Sequence, residues 1–330
     1  MYTIGVDIGG TSVKIGLVRD GTILHRMNFK TETDRSQEDC VAFLCEKISQ
    51  FILDHDVKKE SLAGIGICSP GLIDSQNGIV VYASNLNWKH LPLAEIVERS
   101  LRLPCRLIND ASAATLTEWL YGAGKGCDQL LMLTLGTGVG SGLIVNGQLA
   151  EGNKRQGLQF GHTVIKINGR RCSCGRRGCL ETYASAKALV SSAREEAKKH
   201  PDSSLFRKAN GNLNEIDGLE IFEAAKKGDA TASAVLEKYV VYLGEGILNF
   251  CNSLRPEQIV IGGGLSRQKE YLTDRLNRYI YERKFGLKGS PEVLVKPAMF
   301  DNDAGIIGAA SLFRDQSSFE NTSFPPTKVL

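Results

Sequence analysis

Three cysteines and one histidine lie close enough in the sequence to bind one metal ion. Cys172, Cys174 and Cys179 fall within eight residues, and His162 stands ten residues before the first of them. Three thiolates and one imidazole form a complete tetrahedral ligand set for zinc, which leaves no coordination position for a substrate. The spacing therefore predicts a structural zinc site that stabilises its loop and does no chemistry itself. A redox cluster or an adventitious group of thiols is the alternative.

Asp110 is the residue best placed to act as a base. It follows a predicted strand at 105–108 and precedes a predicted helix at 111–120, and ligands of open α/β sheets bind where such strands end. A carboxylate there can accept the proton of a hydroxyl group while the oxygen attacks a phosphoryl group. The alternative is an aspartate that only caps the following helix.

Two glycine-rich turns could bind phosphate. One lies at 9–11 and the other at 136–140, and each connects an apolar run to a segment of alternating polarity. This pattern predicts a β-hairpin, whereas the glycines of a Walker P-loop or a Rossmann fingerprint begin a helix. Backbone N–H groups of two such turns facing each other would bind a phosphate chain between two lobes.

An offset of 126 residues superimposes the two hairpins. The pairs that it matches are Gly10 with Gly136, Thr11 with Thr137, Val13 with Val139, Gly16 with Gly142, Leu17 with Leu143, and Gly21 with Gly147. This match indicates an internal duplication in which each copy begins one lobe, and two unrelated glycine-rich hairpins are the alternative.

The composition is that of an ordinary globular protein large enough for two domains. The chain has 330 residues, of which 42% are hydrophobic, and a net charge of +3, which gives no basic footprint for nucleic acid or a membrane surface. We expect no transmembrane helix and no secretion signal. Nine cysteines, an odd number, favour a reducing compartment, which we take to be the cytoplasm.

Apolar periodicity predicts the elements that carry these residues. Helices are expected at 37–55, 91–101, 111–120, about 183–200, 218–227 and 229–254, and strands at 62–67, 105–108 and 258–261. The stretch from about 200 to 217 has the composition of a surface connection, and the tail beyond Phe313 that of a mobile segment.

These motifs together resemble the family of repressors, open reading frames and sugar kinases, the ROK family. The resemblance runs from about residue 3 to residue 312 and rests on DIGGT at 7–11, LGTGVGSGLIVNG at 135–147, GH at 161–162 with CSCGRRGCLE at 172–181, and IVIGGGLS at 259–266. The chain is similar to the kinase branch in starting at the first phosphate strand, since repressor members carry a winged helix before it.

The resemblance implies a two-lobed, actin-like α/β fold, a duplicated ribonuclease H-like ATPase architecture with ATP and sugar in the cleft. The small lobe would comprise residues 1–118 and a C-terminal helix near 302–314. The large lobe, 119–301, would carry the zinc loop, and residues 315–330 would form a mobile tail. Members of the family typically form dimers, so a homodimer is expected.

The resemblance also assigns site residues. Asp110 is the catalytic base, and His162 would use one ring nitrogen for zinc and the other for a sugar hydroxyl. The expected sugar contacts are Gly71, Asn85, Asn109, Asp110, Gln159, His162 and Glu181. The residues expected to bind ATP and Mg²⁺ are Asp7, Gly9, Gly10, Thr11, Lys14, Gly136, Thr137, Gly138, Gly140, Gly262, Gly263 and Gly264.

Gln159 departs from the family pattern. Glucokinases and aminosugar kinases of the family usually have Glu three residues before the zinc histidine, where this chain has Gln159. An amide still binds a sugar hydroxyl, but it loses the added strength of a hydrogen bond to a charged group. The particular sugar and its anomeric form are therefore left open.

The expected activity is that of an ATP- and Mg²⁺-dependent hexose kinase acting on the 6-hydroxyl, with glucose the leading substrate. Alternatives are a kinase for N-acetylmannosamine or N-acetylglucosamine, and a kinase for another hexose or a β-glucoside. A protein of the same fold that senses sugar without phosphorylating it is a further alternative. Asp110 and both phosphate turns argue against a sensor, because binding alone needs no base.

Overall fold

The computed structural model describes residues 1–208, 212–286 and 292–314, which form two compact units. The first unit contains Met1–Ala113, Lys154–Gln156 and the segment from Gly305 onward, and the second contains the intervening residues. The domain bounds expected from the sequence remain predictions, and the expected tail at 315–330 lies outside the described residues. No helix in the described ranges is long and apolar enough to cross a membrane.

A mixed five-stranded sheet forms the centre of the first unit, in the order β3-β2-β1-β4-β8. The elements up to α3 are β1 (Tyr2–Ile8), β2 (Ser12–Arg19), β3 (Thr22–Lys30), α1 (Gln37–Asp54), β4 (Leu62–Ser69), β5 (Leu72–Asp74), β6 (Ile79–Ala83), β7 (Trp88–Leu91), α2 (Leu93–Leu101), β8 (Cys105–Asn109) and α3 (Asp110–Tyr121). Strand β1 is antiparallel to β2 and parallel to β4, which is parallel to β8. The carboxyl ends of β1, β4 and β8 therefore meet at one edge. Strands β5, β6 and β7 form a separate antiparallel sheet, which the sequence did not predict.

The second unit repeats this topology. Its elements, together with the C-terminal helix, are β9 (Gln129–Leu135), β10 (Val139–Val145), β11 (Gln148–Ala150), α4 (Glu181–Ala184), α5 (Ala186–Lys199), α6 (Ser204–Lys208), α7 (Gly218–Lys226), α8 (Ala230–Leu254), β12 (Gln258–Gly262), α9 (Glu270–Arg283), β13 (Leu294–Pro297) and α10 (Ala304–Ala310). The sheet order is β11-β10-β9-β12-β13, and β9 is antiparallel to β10 and parallel to β12. The two sheets thus agree with the duplication inferred from the sequence.

The two hairpins differ by one residue in the turn. Ile8 pairs with Val13 across the first turn, whereas Leu135 pairs with Val139 across the second. The offset of 126 therefore holds for the second strand of each hairpin, where Val13 corresponds to Val139. The first strands differ by 127, because the second turn is one residue shorter.

Several predicted elements agree closely with the structure. Helix α1 buries the six apolar residues of its predicted face, which are Val41, Leu44, Cys45, Ile48, Phe51 and Ile52. The predicted ends lie within about two residues of the observed ends for three strands and three further helices. These are the strands at 62–67, 105–108 and 258–261 and the helices at 111–120, 218–227 and 229–254.

Three expectations were wrong in detail. The helix expected at 91–101 begins at Leu93, because Leu91 ends β7. The helix expected at 183–200 is interrupted at Ser185, whose side chain accepts a hydrogen bond from the Ala188 N–H and caps α5. The expected surface connection at 200–217 contains α6 and contributes Leu205 and Ile216, both 1% exposed, to the core.

Glu118 is a buried carboxylate that ties α3 to the segment before α10. Its Oε1 accepts hydrogen bonds from the N–H groups of Met299 and Phe300 at 2.7 and 2.8 Å, and its Oε2 accepts one from Ala123 at 2.9 Å. The residue is fully buried. A buried carboxylate is tolerated only with such partners, so these three bonds hold the end of α3 in place.

We predict that Glu118→Ala lowers the free energy of unfolding by at least about 3 kcal/mol, because three buried N–H donors lose a charged acceptor. Glu118→Gln, which keeps one acceptor oxygen, should be less destabilising. Urea unfolding followed by circular dichroism measures both changes. A loss below about 1 kcal/mol in the alanine variant would show that solvent replaces the carboxylate.

Candidate active site and metal cluster

Asn109, and not Asp110 alone, caps helix α3. Its Oδ1 accepts hydrogen bonds from the N–H groups of Ala111 and Ser112 at 3.0 and 3.3 Å, and its Nδ2 donates to the Gly71 carbonyl at 3.1 Å. The structure thus joins two of the expected sugar contacts, Gly71 and Asn109, directly. Asp110 Oδ1 accepts a hydrogen bond from the Ala111 N–H at 2.8 Å.

The pKa of Asp110 is raised to about 6. The main cause is desolvation by the protein atoms around its carboxylate, and the negative charge of Asp7 adds to it, while hydrogen bonds from Ala111 and Asn109 act in the opposite direction. The side chain is nevertheless exposed, so a substrate can reach it. A carboxylate with this pKa is mostly ionised at pH 7 and is a stronger base than an ordinary aspartate.

Asp7 lies at the same sheet edge and is held from three sides. Its Oδ2 lies 3.2 Å from Lys14 Nζ, and its Oδ1 lies 3.5 Å from the buried thiol of Cys68. A Cβ atom on Gly305 would lie 2.7 Å from Asp7 Cγ, so the start of α10 packs directly against this carboxylate. A fixed, partly exposed carboxylate beside a lysine fits a site for Mg²⁺ and phosphate oxygens.

The first glycine turn is fixed by Thr31 and lies next to Asn85. Thr31 Oγ1 donates to the Gly9 carbonyl at 2.7 Å, and the Thr31 N–H donates to the Thr11 carbonyl at 3.0 Å. A Cβ atom on Gly10 would lie 3.6 Å from Asn85 Cβ. The first unit therefore brings an expected phosphate turn close to an expected sugar contact.

The second glycine turn is fixed by Glu181 and by the start of α5. The Val139 N–H donates to Glu181 Oε2 at 3.0 Å, and the Ala186 N–H donates to the Gly136 carbonyl at 2.9 Å. A Cβ atom on Gly138 would lie 2.3 Å from Glu181 Oε2. The absence of a side chain at Gly138 thus leaves room for Glu181 in its present position, a contact that the sequence did not indicate.

The late glycines pack on the end of β9. Gly262 ends β12 beside Thr134, and Gly263 has a φ of +79°. A Cβ atom on Gly263 would lie 2.5 Å from the Leu135 carbonyl oxygen. Close backbone packing therefore places residues 262–264 at the same sheet edge as the second turn.

The four expected metal ligands form one cluster. The ligand atoms of His162, Cys172, Cys174 and Cys179 all lie within 4.8 Å of one another. Cys174 Sγ and Cys179 Sγ are 3.7 Å apart, and Cys172 Sγ lies 3.6 Å from His162 Nδ1. Zinc with bonds of about 2.3 Å to sulfur places two tetrahedral sulfurs about 3.8 Å apart, so the residues fit zinc. Nδ1 is the imidazole nitrogen that faces the cluster.

Gln159 lies at the entrance to the short 3₁₀ turn that contains His162. Its carbonyl accepts a hydrogen bond from the His162 N–H at 3.0 Å, and its side chain is exposed. The backbone therefore connects Gln159 to His162, the expected metal ligand, and leaves its side-chain amide available to a ligand. Its contact with sugar remains a prediction.

Comparison with known proteins identifies a single family. The ROK family model matches residues 3–316. The chain is 37% identical over 316 residues to a glucokinase from Thermotoga maritima, covering 95% of this chain and 97% of that protein. It is 29% identical to a xylose repressor from Bacillus spizizenii, covering 94% of this chain and 76% of the repressor.

A solved structure is similar over nearly the whole chain. The crystal structure of a ROK family glucokinase from Streptomyces griseus in complex with glucose and AMPPNP has a TM-score of 0.83 and 33% identity, covering 94% of this chain and 99% of that one. The expected family and its two-lobed, actin-like α/β fold with two mixed sheets are thereby confirmed.

We predict that the purified protein contains about one tightly bound zinc ion per chain. Cys174→Ser should lose the metal, thermal stability and sugar affinity together, because the cluster needs all four ligands to close. Metal analysis, thermal unfolding and calorimetric titration with glucose measure these effects. Cys251→Ser, in α8 outside the cluster, is the matched control and should retain the metal. Metal-free protein with full sugar affinity would contradict the assignment.

Proposed function

Because the chain belongs to the ROK family, we propose that it is an ATP- and Mg²⁺-dependent hexose kinase that phosphorylates the 6-hydroxyl of glucose. The observation that carries this proposal is Asp110, an exposed carboxylate with a pKa of about 6 at the end of β8, on a helix that Asn109 caps. Similarity to glucokinases at 33–37% identity over nearly the full chain supports the substrate.

In this mechanism Asp110 accepts the proton of the sugar hydroxyl. The oxygen forms a bond to the γ-phosphorus of ATP, and the bond from that phosphorus to the β-phosphate oxygen breaks, which releases ADP. Gly71, Asn85 and Asn109 orient the hexose, and Glu181 and His162 contribute further contacts to it. Near pH 7 Asp110 is ionised but basic enough to share the proton in the transition state.

The phosphates of ATP are bound by backbone N–H groups and by charge. Both glycine turns, at 9–11 and 136–140, supply N–H donors, and Lys14 supplies a cation. Asp7 would hold Mg²⁺, and the ion would supply positive charge to offset the negative charge of the transferred phosphate. Residues 262–264, which lack side chains, allow the adenosine to approach the backbone.

A sugar-sensing protein is the second candidate, since the xylose repressor is 29% identical to this chain. The ionised Asp110 favours the kinase, because a sensor gains nothing from a base beside the hydroxyl. A kinase for N-acetylmannosamine, N-acetylglucosamine, another hexose or a β-glucoside would differ from a glucokinase only in the residues that contact the sugar. The homodimer and the cytoplasmic location remain predictions.

A coupled assay of ADP release tests the proposal. The protein is incubated with Mg²⁺, ATP and a panel of hexoses and amino sugars, and kcat/KM is measured for each. The highest value is expected for glucose. A higher value for an amino sugar would assign the enzyme to that substrate. Sugar binding without ADP release on any member of the panel would identify a sensor.

We predict that Asp110→Asn lowers kcat by at least about 100-fold and leaves sugar affinity nearly unchanged, because it removes a base but not a hydrogen-bonding group. The raised pKa means that Asp110 is protonated, and inactive as a base, below about pH 6. The kcat of the unsubstituted enzyme should therefore fall about tenfold per pH unit below that value. The variant should lack this inflection, and an unchanged kcat would reduce Asp110 to a structural residue.

We predict that Gln159→Glu raises kcat/KM for glucose about fivefold, because a charged acceptor adds about 1 kcal/mol to a hydrogen bond with a hydroxyl. The KM for ATP should be nearly unaffected. If the pocket is shaped around the amide, which also donates, activity on the true substrate should instead fall. Measuring both proteins on the sugar panel separates the two cases, and no change on any sugar would mean that residue 159 does not contact it.

A further inference from the structure

A single carboxylate touches both the second glycine turn and the metal cluster. Glu181 Oε2 accepts a hydrogen bond from the Val139 N–H at 3.0 Å. Its Oε1 lies 3.5 Å from Ser173 Oγ and 3.8 Å from Cys172 Sγ. Glu181 also follows the ligand Cys179 by two residues, so its backbone position depends on the cluster.

Steric packing makes this connection tight. A Cβ atom on Gly138 would lie 2.3 Å from Glu181 Oε2, and one on Gly161 would lie 2.1 Å from the Val139 carbonyl oxygen. Gly161 directly precedes His162. The turn and the start of β10 are therefore packed against Gly161, which precedes His162, and against Glu181, which follows Cys179 by two residues.

The two halves of the cluster loop are also joined by backbone contacts. The Leu180 N–H donates to the Thr163 carbonyl at 2.8 Å, and the Ala186 N–H donates to the Gly136 carbonyl at 2.9 Å. Leu180, before Glu181, is therefore bonded to the residue that follows His162, and Ala186, after Glu181, is bonded to the second glycine turn. Movement of the loop would displace the turn as well.

The turn keeps two donors for a ligand. The Val139 N–H is used by Glu181, and the Gly136 N–H donates to the Gly138 carbonyl at 3.0 Å. Within the described part of the chain, no acceptor binds the N–H groups of Thr137 and Gly138. Two successive free N–H groups form a concave site for an anion, and their direction is set by the bonds on either side of them.

We propose that Glu181 is a positioning residue for the nucleotide and that the metal cluster, through it, controls ATP affinity as well as sugar affinity. This inference rests on the proposed function in one respect, the binding of phosphate by the second turn. Glu181 accepts a hydrogen bond from the Val139 N–H, and this bond fixes the orientation of the neighbouring peptides. The Thr137 and Gly138 N–H groups are thereby directed toward the phosphate. The structural metal thus acts on the phosphate turn through a contact that needs both the length and an acceptor oxygen of Glu181.

Two substitutions separate this role from a contact with sugar. Glu181→Gln keeps the length and an acceptor oxygen but removes the charge, whereas Glu181→Asp keeps the charge and shortens the reach. Calorimetric titration with AMPPNP and Mg²⁺ should give a Kd within about twofold of the unsubstituted protein for the glutamine variant. The aspartate variant should bind the nucleotide about five- to tenfold more weakly, as expected for one lost hydrogen bond. Glu195→Asp, on the exposed face of α5, is the control and should bind normally.

Metal removal provides an independent measurement. Stripping zinc with a chelator should weaken AMPPNP binding at least as much as Glu181→Asp does, and restoring zinc should reverse the loss. Titrations of the same samples with glucose measure the sugar affinity separately. Circular dichroism shows whether each sample is folded. If the aspartate variant is unfolded, the comparison of nucleotide affinity with and without zinc tests the proposal instead.

The outcomes are distinguishable. Equal nucleotide affinity in folded protein with and without zinc, or in the glutamine and aspartate variants, overturns the positioning role and leaves the proposed kinase intact. Weaker binding by the glutamine variant, with normal binding by the aspartate variant, would assign the effect to the charge of Glu181 and overturn the role of its reach. Unsubstituted protein that binds glucose but no AMPPNP overturns the proposed kinase and this inference together.

Discussion

The hydrogen-bonded register of three parallel strands determines the chemistry of the first unit. Asp7 of β1 pairs with Cys68 of β4, and Cys68 pairs with Ile108 of β8. Asp110 therefore emerges two residues beyond the level of Asp7 at the same sheet edge. Backbone pairing, and not attraction between the side chains, holds two carboxylates close enough that the charge of Asp7 helps to raise the pKa of Asp110.

The same constraint acts in the second unit with a different result. Pairing of β9 with β12 places Gly262 beside Thr134, so the second turn and the late glycines share an edge. At the corresponding edge the first unit carries Asp7, Lys14 and Asp110, whereas the second unit carries two groups of glycines, at 136–140 and 262–264. In the proposed function, the first kind of group supplies the base for the nucleophile, and the second supplies backbone donors for the phosphate.

Features encoded by short stretches of sequence were predictable, and those that depend on distant segments were not. The hairpins, α1 and the grouping of four metal ligands follow from local periodicity and spacing. The bonds from Glu118 to Met299 and from Glu181 to Val139 join residues 181 and 42 positions apart, and no local pattern contains that information. The interruption at Ser185 escaped prediction because helical periodicity continues through the cap that divides α4 from α5.

Gly138 shows how a glycine in an expected phosphate turn can pack against a protein side chain as well as face a ligand. Small turns of this kind are usually explained by the approach of phosphate to the backbone. Here the side of Gly138 that a Cβ would occupy faces Glu181 Oε2 at 2.3 Å. A methyl group would have to displace that carboxylate before it met any nucleotide. Weaker ATP binding after substitution of Gly138 would therefore report the loss of the Glu181–Val139 bond, and with it the connection to the metal cluster, as much as any clash with phosphate.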